Sequence, residues 1–125
     1  MVRYLDIEVV ASELAELGFR VRDYGLLGSA LARPRTTVFG VDAYPTIESK
    51  AAALVESVVQ HHVMFDGNKR AAWYLLVAFL LINEIEIEAK DAAVVRLMDG
   101  ISTNSSDLAK VARWIADRSH RTNLN

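Results

Sequence analysis

The stretch Ala71–Ile82 is apolar without interruption, running Ala-Ala-Trp-Tyr-Leu-Leu-Val-Ala-Phe-Leu-Leu-Ile. It is too short to cross a bilayer, which takes roughly 18 or more residues. A helix that is apolar all round must instead be covered by other elements. The chain is therefore read as all-α, a compact helical bundle with a buried central helix at Ala71–Ile82. Its 125 residues predict one domain, 1–125. With 52% hydrophobic residues and a net charge of −2, intrinsic disorder is excluded. The same near-neutral charge argues against binding nucleic acid by bulk phosphate neutralisation. Cysteine is absent, which excludes a disulfide framework or a thiolate metal site and fits a cytoplasmic protein. The N-terminus brings acids at Asp6 and Glu8 and no apolar signal-peptide core, so neither export nor a membrane is expected.

Around this centre the helical signals are plain. Asp6 is placed to cap a first helix with Val9, Val10, Leu14 and Leu17 on its apolar face and Gly18 as its stop. From Phe19 to Tyr44 the periodicity breaks up, apart from a short turn at Leu26–Ala32. Irregular stretches of this length tend to be functional, and Thr36–Val41 has the composition of a short extended flap. Thr46 then caps a helix that places Ile47, Ala51, Leu54, Val58 and His62 on one face. Beyond the central helix, Glu84–Glu88 alternates strictly, as an extended piece with a solvated glutamate face does. Asp91 caps a helix over Ala92–Asp99 closed by Gly100, Ser105 or Ser106 opens a last helix carrying Leu108, Val111, Ala112 and Ile115, and Ser119–Asn125 reads as a frayed tail.

The chemistry concentrates in His62-Val63-Met64-Phe65-Asp66-Gly67-Asn68-Lys69-Arg70. A polar, glycine-containing turn runs straight into the start of the most apolar helix. Such a start presents unpaired N–H groups and a partial positive charge, hence an anion site. Gly67 permits close backbone approach, Asn68 brings an amide donor, and Lys69 and Arg70 bring two cations. Cations at a helix N-terminus oppose its dipole unless an anion is bound. Asp66 either caps the helix or holds a hard divalent cation bridging phosphates. His62 stands just before this turn, placed to act as a base toward a hydroxyl. Each residue alone has a plain structural reading; their joint order is what marks a site.

This segment resembles the Fic/Doc signature H-x-F-x-[D/E/N]-[G/A]-N-[G/K]-R, with His62, Asp66, Gly67, Asn68, Lys69 and Arg70 in register. Lys69, and Trp73 where Fic-type AMP-transferases commonly carry a second arginine, are similar to the Doc (death-on-curing) branch. The likeness extends through Ser29–Pro34, Phe39-Gly40 and Tyr44–Leu54, and covers roughly Tyr24 to Arg118. The resemblance implies an all-α Fic fold and the toxin of a toxin–antitoxin pair. Such a toxin is a kinase that uses ATP and Mg²⁺ to phosphorylate a threonine of elongation factor Tu, inhibiting translation. Carried over by position, His62 is the catalytic base, Asp66 holds Mg²⁺ or positions phosphates, and Gly67, Asn68, Lys69 and Arg70 form the anion cradle. Thr36–Ala43 matches the flap that aligns the target by strand addition.

Two positions depart from the pattern: Val63 and Met64 stand where Pro and Phe are usual. Methionine is adaptable enough to take over the core anchor of that Phe. Ser12 and Glu16 match part of the Fic self-inhibition pattern, but Leu17 breaks it. The implied partner is therefore a separate, Phd-like antitoxin laying an amphipathic helix in a groove. Arg33 and Arg35 flank the flap and are candidates to touch nucleotide or target. The alternatives are a Fic-type protein AMP-transferase and a non-catalytic interaction module that merely binds a partner's anion.

Overall fold

The computed structural model describes residues 1–122. Three alanines in a row, Ala51–Ala53, let neighbouring elements approach one helix from several sides, and that helix is the hub. Helix α3 (Ile47–Gln60) buries Lys50 through Val55 in succession, then Ser57, Val58 and Val59. It is opened by a capping box in which the Thr46 and Ser49 side chains each bond the other's backbone. The apolar helix α4 (Asn68–Ile82) packs against it through Ala71, Ala72, Leu75, Leu76, Phe79 and Leu80, whereas Leu81 is exposed. The central place expected for Ala71–Ile82 is thus shared with α3. Large side chains dominate a hydropathy reading, but small ones let more helices meet.

Helix α1 (Ile7–Glu16) and α2 (Tyr24–Ala32) are capped by Asp6 and Asp23, which accept from Val9 and Leu26 N–H. Of the face predicted for α1, Val10 and Leu14 are buried, but Val9 and Leu17 lie in solvent. The turn expected at Leu26–Ala32 is a full helix, because Leu27, Ala30 and Leu31 find a core to enter. Tyr74 on α4 donates to Glu13 Oε2 at 2.8 Å and ties α4 to α1. Desolvation, then this bond to the carboxylate, push its phenol from 10.0 up to about 12. A raised folded value favours folding fully below pH 10.0 and loses that contribution as pH climbs toward 12. Ultraviolet titration should find Tyr74 among the last phenols to ionise, and Glu13→Gln should lower its midpoint.

After a 3₁₀ turn at Arg33–Arg35 come β1 (Thr37–Val38) and β2 (Val41–Asp42), an antiparallel hairpin. Phe39 and Gly40 join them with φ of 51° and 77°, the left-handed pair that a two-residue turn needs. This is the expected flap, and Val38, Phe39 and Val41 stand out in solvent. Its base is anchored from beneath. The fully buried Lys50 ammonium donates to Pro34 O at 3.2 Å and faces Asp42 at 3.5 Å. Arg33 binds Tyr44 OH, Ser57 Oγ, Ala53 O and Glu56, the last at 2.9 Å.

β3 (Ile85–Ile87) falls in the predicted alternating stretch and pairs antiparallel with β4 (Ser119–Arg121). The expected fraying is therefore corrected for Ser119–Arg121, whose partner 34 residues away no local pattern shows: His120 reaches Glu86 at 3.1 Å. Residues 123–125 of that tail lie outside the described residues. Helix α5 (Asp91–Ser102) starts after Lys90 and runs through Gly100, so Asp91 is its first residue and Gly100 is no stop. Helix α6 (Leu108–Arg118) is capped by Asp107, not by Ser105 or Ser106, and buries Val111 and Ile115. Among the described residues no helix is long and apolar enough to cross a membrane.

Candidate active site at the start of helix α4

Helix α3 ends at Gln60, so His62 does not continue its buried face as the spacing suggests. His62 has φ 50° and is exposed. For a residue with a Cβ the left-handed conformation costs roughly 1–2 kcal/mol. It turns the chain so that Val63 and Met64 drop into the core, 0% and 1% exposed, while Phe65 stays outside. Met64 thus takes the core anchor position. The loop runs beside Arg20–Asp23: Val21 bridges Met64, Arg22 N–H donates to Val63 O at 2.8 Å, and Phe65 N–H to Arg20 O at 3.0 Å.

Asn68 is used differently from the expectation. Its carboxamide accepts from Met64 N–H at 2.8 Å and donates to Met64 O at 3.0 Å. The side chain latches the loop, leaving its backbone N–H for an anion. Ala71 is the first residue of α4 whose N–H has an intrahelical acceptor, Gly67 O, so the amides of Asn68, Lys69 and Arg70 end the helix unpaired by it.

Gly67 is the N-cap residue, at φ 75° and without a side-chain cap bond. The alternative in which Asp66 caps the helix is thereby removed. A Cβ at Gly67 would sit 2.5 Å from an Arg70 guanidinium nitrogen. What needs the missing side chain is Arg70, which folds back over Gly67 and the Phe19 ring, 5.3 Å from its centroid. Gly67→Ala should therefore both strain the turn and push Arg70 away, and a lowered melting temperature together with shifted Arg70 side-chain resonances would report this.

Lys69 is not free. Its ammonium pairs with Asp99 of α5 at 2.7 Å, with both side chains about half exposed. Such a pair is worth about 0–1 kcal/mol, so a polyphosphate can displace it. If the cleft takes a nucleotide, Asp99→Ala should tighten its binding several-fold by removing both the competitor and a repelling charge, measured by calorimetry with ATP.

All six residues in register with the signature, His62, Asp66, Gly67, Asn68, Lys69 and Arg70, line one open cleft of about 510 Å³. Val59, Phe65, Val95 and Ser102 complete its walls. Asp66 makes no ion pair among the described residues. Arg33 and Arg35 are not among the residues lining the cleft: the first is consumed by the flap anchor, and the second lies over Tyr4. Trp73 packs edge-on against Trp114, ring centroids 6.2 Å apart, so an indole in packing stands where a second arginine would be.

This geometry and the sequence agree with a profile of the Fic/DOC family, which matches residues 4–80. The chain belongs to the Fic/DOC family. A curated Fic/DOC relative, "Toxin Doc" of Mycolicibacterium smegmatis, is 47% identical over 122 residues, spanning 93% of each chain. Sequence reasoning missed two contributors to this Fic/DOC site, Arg22 and Asp99. They meet the loop residues from 40 and 30 positions away, a separation at which no local pattern signals contact.

Proposed function

We propose that the protein is a toxin that acts as a protein kinase, moving the γ-phosphoryl group of ATP to a threonine hydroxyl of elongation factor Tu. The single observation that carries this reading is the convergence of His62, Asp66 and the α4 N-terminus on one cleft. Phosphoryl transfer asks chiefly for positioning and charge neutralisation. The free amides of Asn68 to Arg70, with Lys69 and Arg70, receive the phosphates. His62 takes the proton of the attacking hydroxyl; the new O–P bond forms as the bond to ADP breaks. Asp66 suits Mg²⁺, a cation that uses one or two carboxylates together with substrate phosphates and supplies further charge neutralisation. The exposed edge of the flap offers its backbone to an extended target segment. Trp73 supports a kinase over an AMP-transferase, since the second guanidinium is missing.

Control by a separate antitoxin accords with the name of the 47% identical relative, a toxin, and we read that partner as Phd-like. A groove of about 270 Å³ lined by Trp73, Val94, Val95 and Met98 shares Lys69 and Arg70 with the cleft, giving a covering helix an apolar footing. The test uses ATP labelled at the α or the γ phosphorus with purified elongation factor Tu. Label from the γ position is expected on the target. Transfer of α label would overturn the kinase, and transfer of neither would favour an interaction module.

A further inference from the structure

We propose that Arg22 is a positioning residue that holds His62 in its working orientation. The inference rests on reading His62 as the base. Arg22 grips three successive loop carbonyls. Its Nε donates to His62 O at 2.7 Å, a terminal nitrogen donates to His61 O at 3.0 Å, and its own backbone N–H donates to Val63 O at 2.8 Å. The residue in the middle of this grip is the one at φ 50°. In that conformation the Cα–Cβ bond of His62 leaves the chain in a direction that no right-handed or extended backbone reproduces. The cleft needs that direction, for His62 is part of its lining although α3 has already ended.

Neighbouring residues do not supply the same constraint. Asn68 latches Met64, two residues on, and leaves the peptides of His61 and His62 untouched. Beside Arg22, the Asp23 side chain is occupied in capping α2, and its backbone N–H reaches only Val63 O, at 3.4 Å. Both bonds from the guanidinium are solvent-exposed, so they add little to global stability while deciding one local backbone choice. Arg22 does not line the cleft.

The experiment compares Arg22→Met, Arg22→Gln and His62→Ala in the full chain, with γ-labelled ATP and elongation factor Tu. Methionine keeps bulk without a donor. Glutamine places an amide N–H at the depth of Nε and can restore the bond to His62 O. Misplacing a reacting group by about 1 Å can cost 10²-fold, so Arg22→Met should lose about 10²-fold in kcat with the KM for ATP within about twofold. Arg22→Gln should recover to within about tenfold of the parent. In nucleotide-free protein the backbone resonances of His62 should move in Arg22→Met and return in Arg22→Gln. Wild-type kcat in Arg22→Met with inactive His62→Ala overturns the role of Arg22 and leaves the base reading standing. Equal losses in Arg22→Met and Arg22→Gln, with unmoved His62 resonances, overturn it too, since charge and not carbonyl positioning would then be at work. Full activity in His62→Ala removes the base reading itself, and the proposal with it.

Discussion

On the proposed kinase reading, replacing His62 by alanine should lower phosphoryl transfer by about 10²–10⁴-fold, the contribution of a positioned general base. On that reading the loss should fall on kcat and leave the KM for ATP nearly unchanged, because the phosphates would be received by α4 amides and cations that the substitution does not touch. Stability should hold or fall slightly. His62 is exposed, so no buried surface is lost, but at φ 50° alanine is less tolerant of the left-handed region than histidine. His62→Asn is the sharper control, since asparagine tolerates the left-handed region but takes no proton at neutral pH. Transfer at wild-type rate in both variants would sink the assignment.

Asn68→Ala should have the largest structural effect at the site. It strands the N–H and C=O of Met64, a residue 1% exposed, and each unpaired buried group costs about 1–3 kcal/mol. The loop between α3 and α4 would loosen, and with it the start of α4. A melting temperature lowered by several degrees together with near-complete loss of transfer is the expected result. Asn68→Asp separates the two bonds: its carboxylate can still accept from Met64 N–H but repels Met64 O. If Asn68→Asp proves as stable as the parent, the two-bond latch is not what holds the loop.

The candidate site residues are legible in the sequence because they are consecutive and chemically unusual together. The elements are legible where local rules govern them: Asp6, Thr46 and the flap's Gly40 act as their types predict. Helix α2 and the β3–β4 pair are not, since Leu27, Leu31 and Ser119–Arg121 take their structure from partners remote in sequence. The same remoteness hides Asp99 opposite Lys69 and Arg22 behind His62.

The apolar run at Ala71–Ile82 by itself determined that this chain must build a helical core around a buried helix. The nine residues before and at that helix's start by themselves determined where the candidate site lies. Both are local statements, made by hydrophobic continuity and by side-chain type. The tertiary structure alone decided that α3 shares the centre, because packing rewards the small alanine face that hydropathy undervalues. It alone decided the division of labour within the motif: Asn68 latches the loop, Lys69 waits in an ion pair, and Gly67 makes room for Arg70. Those roles depend on which backbone or carboxylate the fold brings within about 3 Å, the range over which a hydrogen bond acts.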